Sequence, residues 1–191
     1  MSRFDRRIEK KGTDAAKRLC DITVVLLALP FLVPFFIVAS AVVAISVRGN
    51  PIYARERIGR DGKKFHLLKF KTTFAPNNAA PRMTLFGEVL QRTSMNELPS
   101  LINVLRGDMT LVGPRPLNPR QKSTYPGAHY EKMRPGITGS WLLSAATKPC
   151  EEERAKVEER SKHDLDYFKR RGLWTDIKIF AKTIVVVLRG R

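Results

Sequence analysis

The sequence is short of cysteine, of histidine and of negative charge, and each shortage narrows its chemistry. Its two cysteines, Cys20 and Cys150, stand far apart without metal-ligand spacing, so neither a disulfide scaffold nor a cysteine-held metal is indicated. His66, His129 and His163 form no HExxH or other compact ligand set and read as surface or locally hydrogen-bonded side chains. No GxGxxG and no GxxxxGK(S/T) occurs, which removes the dinucleotide fingerprint and the P-loop. Acidic residues number 18 against 35 Lys and Arg, for a formal charge of +17. Such an excess favours an anionic partner: a phospholipid surface, a phosphorylated substrate or nucleic acid. No helix-turn-helix, zinc finger or aromatic RNA platform accompanies it, so nucleic acid is the weakest of the three.

What the chain does have is a hydrophobic run, Ile22 to Val47, of 26 residues without a formal charge. At about 1.5 Å per residue an unbroken helix of this length covers roughly 39 Å, more than the roughly 30 Å of a bilayer's hydrocarbon core. Length alone therefore permits a full span. The flanks oppose one: residues 1–18 carry seven Lys/Arg against three Asp/Glu, and Arg48 to Lys71 carry eight against two. Basic residues beside a hydrophobic segment favour the cytoplasmic side, and here both ends ask for it. A re-entrant or kinked interfacial helix, broken near Ala28–Pro34 by Pro30 and Pro34, satisfies both flanks. A true span and a buried core helix are the alternatives. No A-x-A cleavage site follows the run, which argues against a signal peptide.

About 140 residues remain, enough for one compact domain. The division expected is a basic arm over 1–13, the re-entrant helix over 14–50, closed at Gly49-Asn50-Pro51, and a cytosolic domain over 51–191. Two short strands are expected around Gly59–Gly62, followed by a loop through residue 81. Helices are expected over Thr84–Gln91 and Glu97–Arg106, the second capped by Asn96. The segment LRGDMTLVGPRPLNPRQ reads as a dense loop and Gly136–Gly139 as a turn. Glu151–Arg171 reads as a charged, solvated helix. In the last helix Leu173, Ile177, Phe180, Ile184 and Val187 form one stripe, and Lys178, Lys182 and Arg189 another. That pattern suits either the domain core or the membrane interface.

Several motifs then stand in order: KRLCD, RIGRDGKKFHLLKFKTT, TSMNELPSLINVLRGDMTLVGPRPL, MRPGITG and DLDYFKRRGLWTDIKIF. On these, residues 17–190 resemble the bacterial sugar transferases, specifically the small monotopic phosphoglycosyl transferases. The resemblance implies a mixed α/β membrane-associated fold with a re-entrant N-terminal helix, a small cytosolic core and amphipathic interfacial helices, held at the cytoplasmic face of the bacterial inner membrane. It implies transfer of a sugar phosphate from a nucleotide diphosphate sugar to polyprenol phosphate with Mg²⁺, at the start of exopolysaccharide or O-antigen synthesis. Anionic lipid, and an active transferase or glycan-assembly protein, are the further partners expected.

In the family a carboxylate attacks the sugar-bearing phosphoryl group, releases nucleoside monophosphate and holds a covalent intermediate, while its neighbour can hold Mg²⁺. The pair is Asp-Glu in a motif resembling SLDELPQL. Here that place reads Ser94-Met95-Asn96-Glu97-Leu98-Pro99-Ser100-Leu101, so the nucleophile position carries Asn96, which has no anionic oxygen. Glu97 keeps the expected metal role and is also the nearest candidate for a replacement nucleophile; the alternative is a noncatalytic regulator or scaffold of membrane glycan assembly. Other departures are Gln91 for arginine, Arg55 for glutamine, and GSWLLSAAT over Gly139–Thr147. Arg57, Gly59, Lys69-Phe70-Lys71, Asp108 and Gly113-Pro114-Arg115-Pro116 still match. The expected anion pocket centres on Arg115, whose guanidinium can hold two phosphate oxygens, helped by Lys69, Lys71 or Arg92. Asp108 either contributes to it or braces its loop.

Overall fold

The computed structural model describes residues 11–75, 80–145 and 153–188. The basic arm of 1–13 lies almost wholly outside the described residues, as do the middle of the 70–81 loop, Thr147, Cys150 and Arg189. The architecture is mixed α/β, with one long apolar helix packed along a small core.

Helix α1 (Lys11–Val47) continues through Pro30 and Pro34, so the break expected near Ala28–Pro34 does not occur. Its end differs from expectation: Arg48, not Gly49, takes the left-handed backbone, with φ 51°. The Gly49 amide then reaches back to the Ala44 carbonyl at 3.1 Å, the long closing bond of a helix C-terminus. Only 11% of the most apolar window of α1 is buried, so it is not a core helix. Leu26, Leu27, Phe31, Ile37, Val38 and Ile45 point outward. This helix is long and apolar enough to cross a membrane, and it is the chain's membrane-associating element.

The opposite face of α1 packs on the domain near both ends of its apolar run. Val25 enters a cluster with Phe65, Leu67, Val104 and Met109, while Ala39, Val43 and Val47 meet Phe70 and Leu90. Phe65 to Phe70 belong to one strand, so the helix lies along it. Full burial of one such aromatic contributes about 1.5–3 kcal/mol.

Strands β1 (Ile52–Ile58) and β2 (Lys64–Phe70) form the expected antiparallel hairpin, registered from Ile52 opposite Phe70 to Ile58 opposite Lys64. Its turn uses the left-handed region at Asp61 (φ 58°) and Gly62 (φ 70°). A second small pair, β3 (Thr73–Phe74) and β4 (Arg82–Met83), precedes helix α2 (Leu85–Arg92), whose cap is the Thr84 hydroxyl accepting from the Gly87 amide at 2.9 Å.

The helix expected at Glu97–Arg106 divides into a 3-10 segment (Met95–Ser100) and helix α3 (Leu101–Arg106). Asn96 is inside the 3-10 segment and is not a cap. The preceding Ser94, in the left-handed region at φ 57°, turns the chain there and leaves Pro99 within the segment.

The two glycine-rich stretches read as loop and turn contain strands β5 (Thr110–Val112) and β6 (Gly136–Thr138), paired in parallel. Glycine is there because the backbones nearly touch: a Cβ on Gly136 would lie 2.1 Å from the Gly113 nitrogen. The Gly113 amide donates to Thr138 O at 2.8 Å and the Gly136 amide to Pro114 O at 2.8 Å.

Three helices complete the described fold: α4 (Ser140–Ala145), α5 (Glu153–Arg170) and α6 (Leu173–Leu188). Helix α5 is not solely a solvated face, since Val157, Ser161, Asp164, Tyr167 and Phe168 are buried. In α6 the core reading of the apolar stripe is overturned: Asp176 and Ile179 are buried, while Leu173, Trp174, Ile177, Phe180 and Ile184 are exposed. The outward apolar stripe matches the membrane-interface pattern.

Candidate functional site

The β1–β2 hairpin carries two cations toward the 3-10 segment. Asn103 fixes that relation from beneath: fully buried, it accepts from the Leu68 amide at 3.1 Å and donates to the His66 carbonyl at 2.8 Å, clasping α3 to β2. The next residue along β2 is Lys69, whose ammonium meets Glu97 Oε1 at 2.6 Å. Ser100, also buried, donates its hydroxyl to the Glu97 carbonyl at 2.6 Å and holds the 3-10 turn shut.

A cleft of about 360 Å³, counting space open to solvent, gathers Arg57, Lys69, Glu97 and Arg115 with Ser100 and Trp141. Three cations thus face one carboxylate. Arg115 comes from the proline-flanked loop after β5, and its guanidinium lies over the Trp141 ring at 4.8 Å, an arrangement that orients the planar fork. Arg57 Nε is buried without a hydrogen-bond partner. Burial, then the neighbouring Arg55, holds the Arg57 guanidinium below its ordinary pKa. An anion entering the cleft would relieve both conditions.

A second, mostly apolar cleft of about 880 Å³ shares Glu97 and Ile137 with the first and runs between α1 and α6, past Val25, Leu32, Leu101 and Phe180. Ser94 Oγ is buried at its wall without a hydrogen-bond partner. The two clefts meet at Glu97, so a molecule with an anionic head and an apolar tail fits across them.

The other residues singled out from the sequence stand elsewhere. Asn96 is half-buried beside Glu97 yet lines neither cleft. Lys71 is half-buried with its amide on the Pro51 carbonyl at 2.8 Å, outside both clefts. Arg92 is exposed and pairs with Glu88 at 2.6 Å. Asp108 Oδ2 accepts from the Asn103 carboxamide at 3.2 Å, bracing the turn between α3 and β5. Arg57 and Trp141 were not among the sequence candidates. Arg57's only signal was its place two residues before Gly59 in the early motif.

Among the described residues no group of three or more His, Cys, Asp or Glu side chains converges to hold a metal ion. Glu97 is the one carboxylate among the described residues that line the basic cleft. That donor set suits a Mg²⁺ brought with substrate phosphates, since Mg²⁺ commonly takes one or two carboxylates plus phosphate oxygens.

The family model described as bacterial sugar transferase matches residues 12–190. The chain belongs to the bacterial sugar transferase family. Among curated members, the UDP-galactose-lipid carrier transferase of Erwinia amylovora is 33% identical over 98% of this chain and 43% of its own length. The exopolysaccharide production protein ExoY of Sinorhizobium fredii is 33% identical over 92% of this chain and 87% of its own length. The UDP-glucose:undecaprenyl-phosphate glucose-1-phosphate transferase of Escherichia coli is 34% identical over 88% of this chain and 39% of its own length. The chain therefore spans less than half of two of these sugar transferases and most of the third.

Proposed function

We propose that this bacterial sugar transferase binds a nucleotide diphosphate sugar and polyprenol phosphate at the junction of the two clefts, with Asn96 blocking the ordinary phosphoryl-transfer cycle. The observation that carries the reading is the meeting of three cations, one carboxylate and an apolar channel at Glu97. Family membership supports a role in polyprenol-phosphate sugar transfer, and the names of the transferase relatives bring UDP-sugars and undecaprenyl phosphate as substrate classes.

Arg57 and Arg115 hold the diphosphate by charge-assisted hydrogen bonds, and Lys69 shifts from Glu97 to phosphate as substrate enters. Glu97 would then be the carboxylate to hold a Mg²⁺ brought with the substrate, and the cation would offset phosphate charge. The isoprenoid tail lies in the apolar cleft beside α1. Asn96 preserves the length of an aspartate without an anionic oxygen, so no phosphorus–oxygen bond forms at this residue.

The test uses the full chain in nanodiscs with Mg²⁺, polyprenol phosphate and a panel of nucleotide diphosphate sugars. Nucleoside monophosphate and lipid-linked product are expected only from an Asn96→Asp variant. Calorimetry of the unsubstituted chain should show binding to one member of the panel, weakened about 10- to 100-fold by Arg115→Ala. Turnover by the unsubstituted chain would overturn the block at Asn96, and turnover indifferent to Glu97→Gln would overturn the metal role of Glu97 as well; failure to bind any member would favour a scaffold in glycan assembly.

A further inference from the structure

Where α1 begins, a shallow cleft of about 510 Å³, counting space open to solvent, draws cations from four parts of the chain. Lys17 and Arg18 come from α1, Arg60 from the hairpin turn, Lys132 and Arg134 from the segment before β6, and Arg171 from the α5–α6 corner. Two are neutralised: Arg60 pairs with Asp14 at 3.0 Å, and Lys17 with Asp176. Asp21, also at the wall, is taken up by the Thr110 hydroxyl and the Leu111 amide.

Arg18 and Arg134 are held differently. Arg18 donates to the carbonyls of Val104 and Leu105 in the last turn of α3, and Arg134 Nε donates to the Gly107 carbonyl at 3.0 Å. Carbonyls orient a guanidinium without cancelling its charge. Burial, followed by the proximity of Arg60 and Arg18, holds the Arg134 guanidinium below its ordinary pKa. The cleft is therefore short of negative charge, and a phosphate would supply it.

The basic cleft does not end in water alone. An apolar groove of about 660 Å³, with Val24 of α1 opposite Ile177, Phe180 and Ala181 of α6, shares Lys17 and Leu173 with it. Trp174, 68% exposed, stands at the start of α6, and Lys17 and Arg18 lie one turn before the uncharged run of α1. Cations beside an apolar groove and an exposed tryptophan mark the depth of lipid headgroups.

We propose that this cleft and groove form a second amphiphile site, in which the phosphodiester of an anionic phospholipid sits among Arg18, Arg134 and Lys132 and one acyl chain lies between α1 and α6. The basic cleft shares no residue with the basic cleft at Glu97, while its apolar groove shares Val24, Leu111 and Phe180 with the apolar cleft there; the proposal does not depend on what Asn96 does. It seats one lipid at the meeting of the chain's membrane-associating helix and its last described helix.

Native mass spectrometry of the full chain, released from micelles containing phosphatidylglycerol or phosphatidylcholine, tests it. One phosphatidylglycerol per chain is expected, with phosphatidylcholine lost on activation. Affinity should fall about fivefold for the exposed Lys132→Gln and roughly tenfold or more for Arg134→Gln. Ala181→Phe, which fills the groove without touching a charge, should also release the lipid. Arg82→Gln removes an equal charge from β4, opposite Phe74 and beside the far end of α1, and should change nothing. Inorganic phosphate at millimolar concentration should not displace the lipid, and polyprenol phosphate should compete no better than phosphatidylglycerol. If Arg134→Gln does not fold, Lys132→Gln together with Ala181→Phe decides. Equal retention of phosphatidylcholine, undiminished retention in these variants, or displacement by phosphate alone would overturn the proposal.

Discussion

Glu97 sits among three cations and is paired to one of them, so its removal has two opposed effects. Glu97→Gln takes away the carboxylate that repels an incoming diphosphate, and without Mg²⁺ binding should tighten by about 1 kcal/mol, a partly solvated charge contact. With Mg²⁺ the same variant should lose any gain the cation gives the unsubstituted chain. Calorimetry with and without chelator separates the two. Asp164 offers a different residue-scale test. Burial pushes its carboxyl up to about 7, against the smaller opposing pull of the Tyr125 hydroxyl, which donates to Oδ2 at 2.8 Å, and of Arg160. Between about pH 4 and 7 the folded chain keeps a proton that the unfolded chain has released. The resulting stability is fully present below that interval and is lost as pH rises through 7, by up to about 1.4 kcal/mol per unit. Asp164→Asn, which keeps an acceptor for Tyr125, should flatten this slope in denaturant melts at pH 5 and 8; an unchanged slope would place the titration elsewhere.

At the scale of elements, the parallel pair β5–β6 rests on two glycines with no room for a side chain. Gly136→Ala should cost about 3 kcal/mol by forcing the strands apart, read as a lowered denaturant midpoint. That pair also shows where sequence reading stopped. Glycine marks a turn and a close approach of backbones alike, and only the second strand, 26 residues away, decides between them. The β1–β2 hairpin was legible because its signal is local, a glycine turn between apolar strands, and so was the helix expected over Thr84–Gln91, although Thr84 proves to be its cap and Leu85 its first residue. In α6 the period was legible but its direction was not, because the residues that bury one face, Thr138 bonding Thr183 at 2.6 Å among them, come from distant segments. The site divided the other way: Lys69, Glu97 and Arg115, far apart in sequence, line one cleft, whereas Asp108 and Arg92 are held by Asn103 and Glu88, only five and four residues away. The exposed face of α6 carries its own expectation: neutralising Lys178 and Lys182 should weaken binding to anionic vesicles by about 1 kcal/mol per charge, more at low salt than at high. Unchanged vesicle affinity would leave those lysines facing water.

For the whole molecule, the apolar run of α1 touches the domain through Val25 near its start and Val47 at its end. A straight helix crossing a bilayer would carry those two points about 33 Å apart along its axis, with the domain able to meet only one. Single cysteines placed near residues 10 and 60 of a chain carrying both Cys20→Ser and Cys150→Ser should therefore be labelled from the same, cytoplasmic side; labelling from opposite sides would require a span. The pairing of Lys17 with Asp176 adds a consequence in time. These residues are 159 apart in sequence. During synthesis the apolar helix leaves the ribosome long before the segment that completes its polar end. Contacts so remote in sequence close late. Until then the outward face of α1 has no folded domain beside it and must already have found lipid. Membrane capture would precede folding, and a chain released into water before α6 is made would aggregate through α1.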